Sequence, residues 1–167
     1  AQFVDHVHAY EKMKIRMLNG GHSTVAFAGI LHTFTYIYET LADPLFAAFL
    51  SDFMELEVTP ILDPVPGIDL AAYRATLLER FANPNIKDTL TRIVSETSAK
   101  APKFLVATIN DQLARTNGDV TSVRRIVVVL AAWCRYLELS VRDDVAGHFG
   151  HEHHFAAEHF LKRIKHH

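Results

Sequence analysis

Cysteine is almost absent from this chain of 167 residues: Cys134 stands alone, so no internal disulfide can form and a reducing compartment suits the protein. Long hydrophobic runs are also missing. The longest, Ile126 to Cys134, covers nine residues, about half of the roughly 20 needed to cross a bilayer. No basic n-region followed by an apolar h-region opens the chain, so the expectation is a cytoplasmic protein with no membrane partner. The seven glycines stand at 20, 21, 29, 67, 118, 147 and 150, and no set of them makes G-x-G-x-x-G or a P-loop. An excess of positive charge is lacking too: 17 Lys and Arg face 19 Asp and Glu, for a net charge of -2. That sign disfavours nucleic acid as a partner. The chain begins at Ala1 rather than Met and starts directly in amphipathic sequence, which reads as a fragment or a processed chain.

What the chain does have is apolar content at helical spacing. Hydrophobic residues make up 49% and charged residues 22%, enough for one core in one domain. Period-two alternation between turns is absent, so the expected fold is all-α and multi-helix. A first helix from Val7 to Leu18 is expected to stop at Asn19-Gly20-Gly21, and a second to run from about His22 to Ala42. Asp43-Pro44 predicts a helix to about Val58, Asp69 caps one to about Phe81, and Asn83-Pro84 opens one to about Ser95. Pro102 starts another that ends at Asn117-Gly118. Thr121 caps the next, whose segment Ile126 to Cys134 is apolar on all sides and belongs at the centre of the assembly.

Two clusters carry chemistry. The first is Lys14, Asn19 and His22, spaced K-x4-N-x2-H. On one unbroken helix Lys14 and His22 would stand about 80° apart in azimuth and roughly 12 Å apart along the axis, so a bend at Gly20-Gly21 is expected to gather them. The second lies in residues 139–167, a histidine-rich tail. There His151, His154 and Glu158 share a helical face and are weak candidates for a metal site, although H-E-x-x-H is not matched.

The stretch AYEKMKIRMLNGGHS, residues 9 to 23, resembles the signature of the polyol-specific long-chain dehydrogenases, the group that includes mannitol 2-dehydrogenase and fructuronate reductase. The resemblance continues through ADPLFAAFL, EVTPIL, PGIDLAAYRATLLERFANPNIKDTLTRI, KAPKFL and LAAWCRYLE, and so covers residues 2 to 138. It implies that 1–138 is the helical, substrate-binding C-terminal domain of such an enzyme, of the mannitol dehydrogenase and 6-phosphogluconate dehydrogenase type. NAD(H) would then be held by an N-terminal Rossmann-type domain, with none bound by this chain alone. The family pattern places the general base on Lys14, polarisation of the reacting oxygen on Asn19 and a substrate-hydroxyl contact on His22. Arg92, in NP-x-I-x-D-T-x-x-R, and Lys100, in S-x-K-x-P-K-F, match further substrate contacts, and Glu11 matches a proton relay between the base and solvent.

These residue types suit the oxidation of a secondary alcohol, because a base must take the hydroxyl proton while hydride leaves. A lysine in that role has to be held neutral by burial or by neighbouring cations such as Arg92 and Lys100. The expected ligand is a sugar alcohol or a sugar acid. A different class of reading is a non-catalytic or engineered helical domain used for assembly, with the tail as its metal site.

Overall fold

In the computed structural model, which describes residues 7–95 and 97–141, Gly20 and Gly21 do not end a helix. α1 (His8–Met13) passes through a π turn (Lys14–Asn19) directly into α2 (Gly20–Leu31), and Gly20 keeps helical angles of φ -61° and ψ -43°. The reason is packing. A Cβ on Gly21 would stand 2.6 Å from Met54 Cε, and one on Gly29 would stand 2.2 Å from Thr40 Oγ1. These glycines allow close approach of neighbouring elements and take no left-handed conformation. The second expected helix also stops early, at Leu31. Thr33 turns the chain at φ 65°. Glu39 then reaches back to accept the N–H groups of Thr35 at 2.8 Å and Tyr36 at 2.9 Å, which starts α3 (Ile37–Ala42).

Asp43 caps as expected, accepting from the Leu45 N–H at 2.8 Å. It opens α4 (Pro44–Asp52), which continues through a π turn (Phe53–Val58) and a 3-10 turn (Thr59–Ile61). Asp69 accepts from Ala71 and Ala72 at the start of α5 (Leu70–Phe81). The Asn83-Pro84 signal is the clearest miss among the helix starts. Asn83 makes a turn instead, accepting from Asn85 N at 2.9 Å. The residues after it pair across to another segment: Ile37 N donates to Asp88 O at 3.1 Å, and Leu90 N donates to Thr35 O at 2.9 Å. This antiparallel bridge between Tyr36 and Thr89 uses backbone groups that a helix would need.

Thr89 caps the short α6 (Leu90–Val94). α7 (Thr97–Ala101) begins before Pro102, which was the expected start, and the chain widens at that proline into a π turn (Pro102–Val106) before α8 (Ala107–Arg115). Proline has no N–H to continue an i→i+4 ladder, so the widened turn has a local cause. The chain leaves α8 at Asn117 and Gly118, with φ 52° and 86°. Asp119, not Thr121, supplies the next cap, accepting from Thr121 N at 2.8 Å. A 3-10 turn (Val120–Val123) then leads into α9 (Arg124–Val141), which passes position 138.

The described residues thus form an all-α domain without a strand. Its centre is not the Ile126 to Cys134 run. Val127 and Val128 on α9 are 51% and 56% exposed, and Cys134 is exposed as well. Only the face carrying Ile126, Val129, Trp133, Tyr136 and Leu137 is buried. The element enclosed on most sides is α2, which packs against α3, α6 and α9 and buries Val25, Ala26, Phe27 and Ile30 together with its glycines. Small residues let three elements approach one helix, which an apolar run of valines does not require.

Two buried polar links hold the surrounding elements. The Glu57 carboxylate accepts from the N–H groups of Arg125 at 2.7 Å and Ile126 at 2.9 Å, at the start of α9. Arg16, also buried, donates to Lys103 O at 2.7 Å and to Asp111 Oδ2 at 3.1 Å, tying the first π turn to the segment around α8. No helix among the described residues is long and apolar enough to cross a membrane.

Candidate functional site

In place of the expected bend at Gly20-Gly21 the chain makes a π turn at Lys14–Asn19, which changes the azimuth of the residues after it but does not fold Lys14 back toward His22. The Gly20 N–H donates to the carbonyl of Ile15, five residues back. One extra residue in a turn sets everything after it back by about 100° of azimuth. Lys14, Asn19 and His22 therefore fall on one stripe about 60° wide, along a helix that never breaks. π turns inside α-helices are frequent at functional sites for this reason: they re-aim a few side chains at small cost in hydrogen bonding.

A cleft of about 180 Å³ opens beside this stripe, lined by Asn19, His22, Ser23, Arg92, Ile93, Lys100 and Phe104. Four of the residues singled out from sequence meet here, from α2 or its approach, α6 and α7. Arg92 donates from Nε to Asp88 Oδ1 at 2.7 Å and from Nη2 to Asp88 Oδ2 at 2.5 Å. Lys100 Nζ donates to the Ser95 carbonyl at 2.8 Å. The charged ends of both side chains, which rise from the short α6 and α7, are held by these local bonds. The first π turn and the chain near Phe104 are joined by Arg16, which fixes two walls of the cleft relative to each other.

His22 packs against Phe81 with ring centroids 4.3 Å apart. Its pKa is pushed down from 6.5 to about 4, chiefly by burial, with Arg92 and Arg80 adding to the effect and Asp88 opposing it. At neutral pH the ring is therefore uncharged, with one nitrogen able to donate a hydrogen bond and the other able to accept one. An uncharged imidazole suits a hydroxyl ligand, which can both donate and accept.

Lys14 is exposed and is not among the residues lining this cleft. Glu11 lies on a second groove of about 420 Å³, with His8, Lys12, Ile15, Arg16, Lys103, Ala107 and Asp111. The stripe thus runs from Glu11 in one groove, past the exposed Lys14, to Asn19 and His22 in the other. His151, His154 and Glu158 lie outside the described residues. Among those that are described, no three His, Cys, Asp or Glu side chains group to hold a metal.

Sequence reasoning missed Asp88, Phe81, Ser23, Ile93, Phe104 and Arg16. Asp88 carried a usable signal, since an acid four residues before Arg92 is ordinary pairing spacing. Phe81 and Arg16 carried none, because their partners are more than fifty residues away. The described residues include no strand, and so no glycine-rich strand-to-helix turn of the kind that cradles a pyrophosphate.

The described residues thus form an all-α domain whose cleft is lined by amide, imidazole, guanidinium and ammonium groups. The chain belongs to the mannitol dehydrogenase C-terminal domain family, which matches residues 6–149. It is 43% identical over 136 residues to a mannitol dehydrogenase of Saccharomyces cerevisiae, covering 81% of this chain and 26% of that protein. It is 44% identical over 131 residues to a mannitol 2-dehydrogenase of Emericella nidulans, covering 78% and 25%. Among solved structures, the Pseudomonas fluorescens mannitol 2-dehydrogenase in ternary complex with NAD and D-mannitol is similar with a TM-score of 0.76 and 46% identity, over 82% of this chain and 27% of that one. A D-sorbitol dehydrogenase in substrate-free form gives a TM-score of 0.75 at 29% identity, over 81% and 27%. The chain therefore spans about a quarter of the length of the relatives it matches.

Proposed function

We propose that this domain supplies the substrate-binding and general-base half of an NAD-dependent oxidoreductase that interconverts a polyol and a ketose. The observation that carries the reading is the convergence of Asn19, His22, Arg92 and Lys100 on one cleft, beside a π turn that puts Lys14 on the same helical stripe. The stripe is roughly 12 Å long from Lys14 to His22. Such a site suits an extended chain of hydroxyls, contacted at several carbons, better than a compact ligand.

In this reading Lys14 Nζ accepts the proton of the hydroxyl being oxidised, and the Asn19 amide donates to the same oxygen as negative charge develops on it. His22, uncharged, holds a second hydroxyl, and Arg92 and Lys100 donate to others. Glu11, one turn before Lys14 and facing the second groove, passes the proton onward to solvent. In this reading the hydride acceptor, NAD, is held by a separate domain of the full-length enzyme. Lys14 is exposed and stands outside the cleft that holds Arg92 and Lys100, contrary to the expected burial, so the reading requires a covering surface from another domain to exclude solvent from the amine. The test is kinetic. In the full-length enzyme carrying this domain, Lys14→Ala must abolish most turnover of D-mannitol with NAD while the fold persists, and retention of more than about a tenth of kcat overturns the assignment.

A further inference from the structure

Arg92 has two thirds of its side chain exposed to solvent, yet its guanidinium is not a free arm. Asp88 takes the Nε–H at 2.7 Å and one Nη2–H at 2.5 Å in a side-by-side pair. A guanidinium has five N–H groups. With two engaged, three remain, on the side turned away from the carboxylate. Asp88 itself is held at both its backbone and its surroundings: its carbonyl accepts from Ile37 N at 3.1 Å, its own N–H donates to Ile86 O at 2.9 Å, and its side chain is only 17% exposed. The backbone bridge between Tyr36 and Thr89 pins this segment to the chain that follows α2. The carboxylate is thus referenced to α2, the helix that carries His22 and follows directly on Asn19, and its Oδ2 lies 4.0 Å from His22 Nε2.

We infer that Asp88 is a positioning residue: it fixes the Arg92 guanidinium over the cleft so that the remaining N–H groups meet a substrate hydroxyl, and it registers that donor against the α2 side of the site. The inference rests on the proposed polyol-binding role of Arg92. An unpaired arginine at this exposure would sample many rotamers and lose that freedom on each binding event, whereas a planar two-bond pair fixes it beforehand. Asp88 also offsets one of the cations in a cleft that holds Arg92 and Lys100. That charge balance suits a neutral chain of hydroxyls, for which direction of the donors matters more than net charge.

Because Asp88 acts through Arg92, its effect must disappear when Arg92 is gone. The experiment is a double-mutant cycle in the full-length enzyme, with D-mannitol and NAD, comparing Asp88→Asn, Arg92→Ala and the double variant. Asp88→Asn is expected to raise KM about tenfold, the scale of a lost charge-assisted hydrogen bond, with a smaller change in kcat. The double variant is expected to match Arg92→Ala alone. Asp88→Glu, which keeps the charge, is expected to recover part of the KM loss. If Asp88→Asn does not fold, the cycle is run with Asp88→Glu, whose smaller KM increase must likewise vanish in the Arg92→Ala background. Effects that multiply in the double variant, or an unchanged KM when Arg92→Ala does raise it, overturn the inference while leaving the proposed function standing. An Arg92→Ala variant with unchanged KM overturns both.

Discussion

Gly29 and Thr40 meet where α2 crosses α3: a Cβ added to Gly29 would stand 2.2 Å from Thr40 Oγ1 and 2.9 Å from Leu90 Cδ1. Thr40 is fully buried and cannot swing aside into solvent. Gly29→Ala is therefore expected to destabilise the domain by about 1–3 kcal/mol, the usual scale for overpacking a core. Gly20→Ala is the control. Its Cβ would find nothing nearer than 3.6 Å, and the helical backbone there should gain up to about 1 kcal/mol from alanine. Urea unfolding midpoints of the two variants check the contrast. A destabilising Gly20→Ala would mean that the glycine pair does interrupt the helix.

Burial of neutral His22 makes stability depend on pH. Its pKa is 6.5 as a free group and about 4 in the folded domain, so between those values the unfolded chain binds a proton that the native state does not. Stability from this group is fully present above pH 6.5 and is lost as pH falls toward about 4. His22→Asn is expected to flatten that slope in unfolding experiments carried out at successive pH values. Histidine ring resonances followed by NMR should show one site still titrating near pH 4. A site titrating near 6.5 in place of it contradicts the burial described here.

Glu57 is 2% exposed and takes the first free N–H groups of α9, at Arg125 and Ile126. Glu57→Ala is expected to cost about 1–3 kcal/mol, because a buried donor at Ile126 and a part-buried one at Arg125 lose their acceptor. Amide exchange at Arg125 and Ile126 should accelerate before that of residues further along α9. Uniform acceleration along the helix would instead show a general loss of packing.

The proposed proton path separates Glu11 from Lys14 in effect. In the full-length enzyme Lys14→Ala should lower kcat about 10²-fold or more, and a small amine added to the assay should restore part of it, with the rescue growing as pH rises. Glu11→Gln should leave substrate affinity in place and slow turnover, since Glu11 faces the second groove and not the cleft. A Glu11→Gln variant that raises KM and keeps kcat would place Glu11 in substrate binding.

Several features could be read from the chain alone because their causes are local. Helical periodicity decided the all-α class, and the caps at Asp43 and Asp69 form within three residues of the capping side chain. The K-x4-N-x2-H spacing and the longer family pattern marked Asn19, His22, Arg92 and Lys100, which the structure gathers around one cleft. Tertiary structure decided whatever depended on a distant partner. Gly20-Gly21 reads as a stop until Met54, Leu50 and Phe81 are placed against Gly21. Asn83-Pro84 reads as a helix start until Thr35 and Ile37 claim the backbone groups near Asp88. The Ile126 to Cys134 run reads as a central helix, yet α2 occupies the centre, because the space between packed helices goes to the residues small enough to let three neighbours close on one another. A cap needs only the next turn of its own helix, whereas burial and close approach belong to pairs of residues that the chain brings together only when it folds.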